Sequence, residues 1–331
     1  MSDRHQLRIG LLGASRIAEE AIVGPAQELG HRLVAVAARD PRRAAAFADK
    51  YGVERVVGSY QDVIDDPEVD LVYNPLANSL HGPWNIAATA AGKPVLAEKP
   101  YARNESEARD VAAAADHSGA PVIEAFHYLY HPVTQRLLHL ITDGDAGELG
   151  ALEHLEIQML MPEPGSDDPR WSLELAGGVL MDLGCYGLHL MRQVGRIIGA
   201  APQITSATAA EREPGVDATC EVEAAIGSVT VSSTYSMLHD HYQFTVRARG
   251  SRGEALVHNF IKPQGDDRLT LTTASGTSTE EFGRRSSYSY QLEAVATHLR
   301  DGVALPVDGA DAVENMALID TAYRAAGLTP R

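Results

Sequence analysis

The first third of the chain constrains the fold most, because short apolar runs alternate with helical patterns from residue 7 to residue 125. Strands are expected at 7–12, 33–38, 71–73, 95–97 and 122–125, with helices at 17–29, 42–51, 82–91 and 106–117. Apolar strands separated by helices belong to a parallel, doubly wound sheet. After about residue 130 the rhythm changes. A helix at 133–142 and a strand at 152–158 lead to a long, mostly apolar helix at 178–196. Residues 203–281 then read as strand after strand. The strands at 229–234 and 243–249 alternate as antiparallel strands do, with turns at Gly227-Ser228 and Gly250-Ser251. Helices at 290–300 and 310–326 close the chain. Helices gathered on one side of an antiparallel sheet make an α+β domain. The expected class is therefore α/β. A parallel doubly wound domain over 1–122 precedes an α+β domain over 123–331, which has a large, open-faced, mainly antiparallel sheet. At 331 residues, each part can bury its own core.

Charge narrows the partners. Twenty-eight basic against 45 acidic residues give a formal charge of −17, which repels nucleic acid and anionic lipid. An anion site must then be made locally by particular basic groups. Lysine is confined to Lys50, Lys93, Lys99 and Lys262, and arginine supplies the rest. No apolar run is long enough to cross a bilayer. The stretch Met1 to Gln6 is short and polar, and a strand comes directly after it without a signal-peptide cleavage pattern. The only cysteines are Cys185 and Cys220. A cytoplasmic protein is expected, without a disulfide framework, nucleic acid or membrane.

The segment Gly10-Leu11-Leu12-Gly13-Ala14-Ser15-Arg16-Ile17-Ala18 joins the first strand to the first helix. From Gly13 it matches G-x-G-x-x-A, with Ser15 in place of the second glycine. Gly13 permits a tight turn, Ala18 lets the helix pack closely, and the helix start can hold a pyrophosphate. Placed after a strand at the head of a βαβ unit, the motif predicts a Rossmann dinucleotide site. The second strand ends Ala37-Ala38-Arg39-Asp40-Pro41-Arg42-Arg43. Ala38 offers no carboxylate to repel a phosphate. Arg39 can stack on adenine and pair with a 2′-phosphate, and Arg43 can assist. Asp40 is read as a helix N-cap because Pro41 comes next; the competing reading makes it a ribose ligand. Arg39 and Arg43 have the competing reading of a solvated surface pair. NADP is expected ahead of NAD.

Ala97-Glu98-Lys99-Pro100 resembles a signature of the Gfo/Idh/MocA oxidoreductases. Matching segments come in order: residues 74–81 (Asn-Pro-Leu-Ala-Asn-Ser-Leu-His), Glu124 to Tyr128, His131-Pro132, and residues 177–186 (Gly-Gly-Val-Leu-Met-Asp-Leu-Gly-Cys-Tyr). The branch that the chain most resembles holds dimeric dihydrodiol dehydrogenases, glucose–fructose oxidoreductase and sugar ketoreductases, which carry tyrosine at the Tyr186 position and mostly use NADP. The resemblance implies an active site between a Rossmann domain and an open-sheet domain for substrate and oligomerisation. It maps the family lysine to Lys99 and the acid/base residue to Tyr186. It implies cofactor contacts at Gly13, Ala14, Ser15, Arg16, Ile17, Ala38, Arg39, Arg43, Pro75, Leu76, Asn78, His81, Glu98, Lys99, Arg170 and Trp171. Trp171 has a packing role as its alternative. Inositol dehydrogenases have histidine where Tyr186 stands, which disfavours an inositol substrate. His127 and Leu129 stand where relatives often carry other residues.

The residues themselves support that chemistry. At about 100° per residue, Asp182, Tyr186 and His189 share one narrow face of a helix, with Cys185 alongside. A polar stripe on an apolar helix must face partners or a cavity; for His189 a satisfied core histidine is the equal alternative. Oxidising a secondary alcohol needs a base for the hydroxyl proton while hydride leaves for nicotinamide. A tyrosine titrates at about 10 in isolation, and a neighbouring ammonium such as Lys99 lowers that value. His127, Asp182 and His189 are candidate substrate ligands. His127 and His131 are four apart, but Pro132 comes next and no third ligand has zinc spacing, so no metal is expected. Asp167-Asp168 reads as a solvated loop pair.

The leading expectation is an NADP-dependent enzyme interconverting alcohol and carbonyl on a sugar, polyol or diol. The alternatives are a sugar-nucleotide ketoreductase and a non-catalytic dinucleotide-sensing regulator. The run of C-terminal strands leaves an open sheet face that needs cover, so a homodimer or homotetramer is expected.

Overall fold

The computed structural model describes residues 6–331, so most of the polar N-terminal stretch read above lies outside the described residues. Six strands form the first sheet: β1 (Arg8–Leu12), β2 (Arg32–Ala37), β3 (Arg55–Val56), β4 (Leu71–Asn74), β5 (Val95–Ala97) and β6 (Val122–Glu124). Their order is β3-β2-β1-β4-β5-β6 and every pairing is parallel. This is the Rossmann order. All residues of β4, β5 and β6 are buried, which is why those strands read as continuous apolar runs rather than alternating ones.

The connecting helices are α1 (Gly24–Leu29), α2 (Pro41–Tyr51), α3 (Tyr60–Asp65), α4 (Asn78–Ala90) and α5 (Glu105–Ser118). Asp40, Ser59 and Asn104 cap α2, α3 and α5 through their side chains. The first helix is not α-helical throughout. A π turn over Glu19–Val23 precedes α1, next to Pro25, which has no N–H to give an α-helical bond. The sequence reading missed β3 and α3 and began the fourth helix at Gly82. In the structure α4 begins at Asn78, so Pro83 lies inside the helix. A Cβ on Gly10 would meet Val63 Cγ1 at 2.6 Å and Val69 Cγ2 at 2.9 Å. Only glycine there lets β1 accept those side chains.

The later part holds α6 (Pro132–Thr142), β7 (Leu152–Leu160), α7 (Cys185–Ile198) and seven further strands. These are β8 (Pro202–Glu213), β9 (Val216–Ile226), β10 (Val229–Ser236), β11 (Gln243–Gly250), β12 (Gly253–Val257), β13 (Leu269–Thr273) and β14 (Gly276–Glu280). The eight-stranded sheet has the order β14-β13-β12-β11-β7-β10-β9-β8. It is antiparallel except where β7 meets β10. Along β9, β10 and β11 buried residues alternate with exposed or half-exposed ones, as one covered face requires. Helix α7 packs against β7, β8 and β9.

The uncovered face corrects one expectation. Its side chains are polar and pair with one another. Arg247 and Arg249 both bond Glu254, His154 bonds Thr230 and Ser232, and Thr272 faces Thr277 at 3.1 Å. No apolar face there needs cover.

Two compact units result. One runs to Phe126 and takes in Tyr288–Met316; the other comprises His127–Ser287 and Ala317–Arg331. The division thus departs from simple chain order at 122/123. The last two helices, α8 (Ser287–Asp301) and α9 (Gly309–Ala325), each contribute to both units. Contacts within the first unit explain the assignment. Ser289 donates to Glu28 at 2.5 Å, and a Cβ on Gly309 would meet the Cβ of Ala112 at 3.3 Å. No helix among the described residues is long and apolar enough to cross a membrane.

Candidate active site

In a parallel sheet the carboxyl ends of all strands share one edge. The order β2-β1-β4-β5 therefore sets the loops after these strands side by side, at residues 38–40, 13–17, 75–77 and 98–101. Gly13 takes φ +95°, and its N–H donates to the Ala37 carbonyl at 2.7 Å. A Cβ on Gly13 would be strained and would lie 3.0 Å from Leu76 Cδ2. The Arg43 guanidinium donates to the Ala14 carbonyl at 3.0 Å, tying α2 to the first loop. Arg39 is exposed and Ala38 half-buried beside them. Asp40 accepts from the Arg42 N–H at 2.9 Å and from the Arg42 guanidinium, so its carboxylate caps α2 as its sequence context predicted.

The Lys99 loop is held on both sides. Before it, the Glu98 N–H donates to the Asn74 carbonyl at 3.0 Å, and the Glu98 carboxylate accepts from Tyr73 Oη at 2.8 Å. After it, the Tyr101 N–H donates to Glu124 at 2.7 Å. His81 bridges two loops, with Nδ1 2.7 Å from the Pro100 carbonyl and Nε2 2.9 Å from the Leu76 carbonyl. Burial pushes the His81 ring down to about 4, against two carbonyls that pull the other way. His81 is thus a neutral brace, whose one N–H donates to a single carbonyl at a time. Burial and the Glu98 charge push the Tyr73 phenol up, so Tyr73 remains a donor to that carboxylate.

In the other unit, a π turn over Leu180–Gly184 leads into α7. Its winding is wider than the α-helical spacing assumed in the sequence argument. Asp182 pairs with Arg170 at 2.6 Å, and Arg170 also bonds Asp168 at 3.1 Å. The two carboxylates raise the Arg170 guanidinium above its ordinary value. Tyr186 and His189 meet instead the short helix His127–Tyr130. Tyr186 Oη lies 3.0 Å from His127 Nε2, and His127 Nδ1 lies 2.8 Å from Ser287 Oγ. Tyr128 Oη lies 2.8 Å from His189 Nδ1, and the Gln193 amide faces His189 Nε2 at 3.1 Å. All of these residues are buried. A Cβ on Gly187 would fall 2.4 Å from Tyr235 Oη, so glycine there lets α7 settle onto β10.

Residues 7–126 match the oxidoreductase family with an NAD-binding Rossmann fold, and residues 137–256 match the GFO/IDH/MocA C-terminal domain. The chain belongs to the GFO/IDH/MocA oxidoreductases. One relative in this family is D-xylose 1-dehydrogenase (NADP(+)) 2 of Haloferax volcanii. It is 32% identical over 324 residues, covering 97% of each chain. Another is trans-1,2-dihydrobenzene-1,2-diol dehydrogenase of Mus musculus, 32% identical over 78% of this chain and 76% of its own. A 3-ketoreductase from Actinomadura kijaniata, solved with NADP and TDP-benzene, shares the fold. Its TM-score is 0.88 at 24% identity, covering 97% of this chain and 98% of its own.

Within this GFO/IDH/MocA chain, each unit gathers its own subset of the expected residues. Loop residues Gly13 to Ile17, Ala38, Arg39, Pro75, Leu76, Glu98 and Lys99 share the edge of the first sheet, with Arg43, Asn78 and His81 on the adjoining helices. The other unit brings His127 to Tyr186 and joins Arg170 to Asp182. Trp171 is buried, its Nε1 donating to the Pro164 carbonyl at 3.3 Å and its ring under Arg212. His127 and His131 diverge, since His131 Nδ1 accepts the Val133 N–H and caps α6. Asp167 is exposed, whereas Asp168 caps the turn before Trp171. Sequence reasoning gave no role to Tyr128, Ser287 or Tyr73; Tyr128 closes the matching segment that begins at Glu124, while no motif marks the other two. It also missed His239, Asp240 and His241, whose ligand atoms lie within 4.8 Å of one another in the loop between β10 and β11. That group is largely exposed, and Asp240 bonds the His241 ring at 2.5 Å.

Proposed function

We propose that this chain is an NADP-dependent dehydrogenase that interconverts a secondary alcohol and a carbonyl on a sugar, polyol or diol. Tyr186 is the acid/base group and Lys99 its assistant. The observation that carries the reading is the buried Tyr186 phenol, hydrogen-bonded to the His127 ring, on the helix after a π turn. Such a phenol has little use in a protein that only senses a dinucleotide. The fit to the cofactor rests on Gly13, whose left-handed backbone and proximity to Leu76 leave no room for a side chain. Residues 13–17 hold the pyrophosphate at the helix start. Arg39 reads the 2′-phosphate, with Arg43 bracing the loop; Asp40 is spent on its own helix. Pro75, Leu76, Asn78, Glu98, Arg170 and Trp171 complete the cofactor site. When bound, the nicotinamide supplies a hydride acceptor or donor. Lys99 orients the substrate oxygen, Tyr186 takes or gives its proton, and Asp182 and His189 shape the substrate side.

Cofactor binding falls to residues 1–122, and substrate binding and oligomerisation to 123–331. The enzyme works in the cytoplasm as a homodimer or homotetramer. The broad polar sheet face, with its Arg, Glu and Thr pairs, suits a symmetric contact with a second copy. The test is absorbance at 340 nm with NADP+ or NAD+ and D-xylose, trans-dihydrodiols and a polyol panel. A dTDP-linked ketosugar with NADPH tests the ketoreductase reading, which several relatives named as 3-reductases favour. No turnover with any of them would return the chain to the sensor reading.

A further inference from the structure

We propose that His127 and Ser287 form a proton relay behind Tyr186, with His127 the group that stores the proton; this rests on reading Tyr186 as the acid/base residue. The three side chains lie in line. Tyr186 Oη is 3.0 Å from His127 Nε2, and Nδ1 on the far side of the ring is 2.8 Å from Ser287 Oγ. His127 and Ser287 have no exposed surface, and Tyr186 has 4%. The rings meet edge to face, with centroids 5.7 Å apart. For the phenol to give up its proton, Nε2 must carry the lone pair. The imidazole proton then sits on Nδ1 and donates to Ser287 Oγ.

Other titratable and charged groups lie on the elements that carry these three side chains, and several of them have partners of their own. On the short helix, Tyr128 bonds His189. His131 caps α6. On the π turn and α7, Asp182 pairs with Arg170, and Cys185 points its S–H at the Asp182 carbonyl. Arg284 and Arg285 precede Ser287 on the remaining segment. His127 is thus the titratable ring in hydrogen bond with the phenol.

Atoms and electrons balance across the step. The C–H of the alcohol leaves as hydride to oxidised nicotinamide, and the C–O bond becomes a carbonyl. The alcohol O–H proton moves to Tyr186 Oη as the phenol's own proton moves to Nε2. Carbonyl, reduced nicotinamide and imidazolium result; reduction runs the same transfers backward. An isolated phenol titrates at about 10 and an imidazole at about 6.5, so the relay lodges the proton on a group matched to neutral pH. His127 acts through Tyr186 and is therefore a positioning residue with a titratable role.

The test uses the full chain with Tyr186→Phe, His127→Gln and Ser287→Ala. Glutamine keeps a donor and an acceptor but does not titrate. In 15N-histidine NMR, the His127 ring is assigned by its loss in His127→Gln. Its midpoint is expected to move by about half a pH unit or more in Tyr186→Phe, because the bond to the phenol is lost. With the alcohol that turns over fastest, D-xylose first, the acidic limb of kcat/KM for oxidation is expected to move up by about two pH units or more in His127→Gln. Turnover at pH 7 should fall about 10- to 100-fold. Ser287→Ala removes the acceptor that favours the imidazolium and should move the limb the opposite way, downward, by less than about one pH unit. An unmoved midpoint in Tyr186→Phe overturns the relay, and so does a wild-type limb in either His127→Gln or Ser287→Ala. The NMR arm decides if His127→Gln does not fold. A moved midpoint together with full turnover in Tyr186→Phe would instead sink the reading of Tyr186 and leave the hydrogen bond standing.

Discussion

The loops at the edge of the first sheet and the buried cluster around Tyr186 are built by different means. In the loops the backbone does most of the holding. Gly13 turns because of its own dihedral, the Glu98 N–H finds the Asn74 carbonyl, and His81 sits between two carbonyls. Partners there are close in sequence, 5 and 19 residues apart for His81. In the cluster side chains bond side chains from distant segments. His127 is 59 residues from Tyr186 and 160 from Ser287. Asp217 bonds Arg331, 114 residues away, and the pair is buried beneath the turn at Gly177-Gly178. A backbone-built site announces itself as a motif. A side-chain-built site is specified only when the fold closes.

If that contrast is right, damage to the cluster should be severe and chemical. Tyr186→Phe is expected to lower kcat by about 10²–10⁴-fold while NADPH affinity stays nearly unchanged. Lys99→Ala should cost at least as much, and the double variant little more than the worse single, since such groups act as a unit. Steady-state kinetics beside fluorescence titration of NADPH separates the two. Near-wild-type turnover in Tyr186→Phe breaks the assignment.

The second test concerns stability. Asp217 accepts from Arg331, from Tyr323 Oη at 3.1 Å and from the Leu180 N–H at 2.7 Å. Asp217→Asn leaves the Arg331 charge buried without its counter-ion, at a cost of about 3–5 kcal/mol. Urea unfolding should show it, and kcat should suffer because Leu180 opens the π turn before Tyr186. A loss under about 1 kcal/mol would show that the cluster does not depend on this remote pair.

The loops should respond more narrowly. Arg39→Ala is expected to weaken NADPH about 10- to 100-fold, the scale of a charge-assisted hydrogen bond, and NADH far less. Equal losses for both would remove the phosphate-reading role.

The smallest effect tests the His81 brace. Its folded value of about 4 lies below the ordinary 6.5, so the unfolded chain binds more protons between these values. The stabilisation is complete above pH 6.5 and is lost as pH falls toward 4, by about 2 kcal/mol between pH 6.5 and 5. Replacing His81 by glutamine should flatten that slope in urea midpoints. An unchanged slope would show that another group titrates there.

Much of the fold was legible because its signals are short. Apolar runs, the caps at Asp40 and Asn104 and the turn at Gly13 each depend on a handful of neighbours. Two local features hid well. The π turns at Glu19–Val23 and Leu180–Gly184 rotate the helical residues after them out of α-helical phase, which the residue spacing alone does not reveal. Short pieces such as Arg55–Val56 carry too few residues for a pattern.

The sequence by itself determined the parallel sheet and its order of function, because strand burial, helix caps and glycine dihedrals depend on residues a few positions apart. It also placed Lys99 at the end of a strand and Tyr186 on a helix. Only the tertiary structure decided the partners of those helices: His127 and Ser287 behind Tyr186, Tyr128 on His189, Arg170 on Asp182 and Arg331 on Asp217. The physical reason is that a buried polar group must find a hydrogen bond once water is gone. Which group answers depends on what the closed chain brings within about 3 Å, and no local pattern records it.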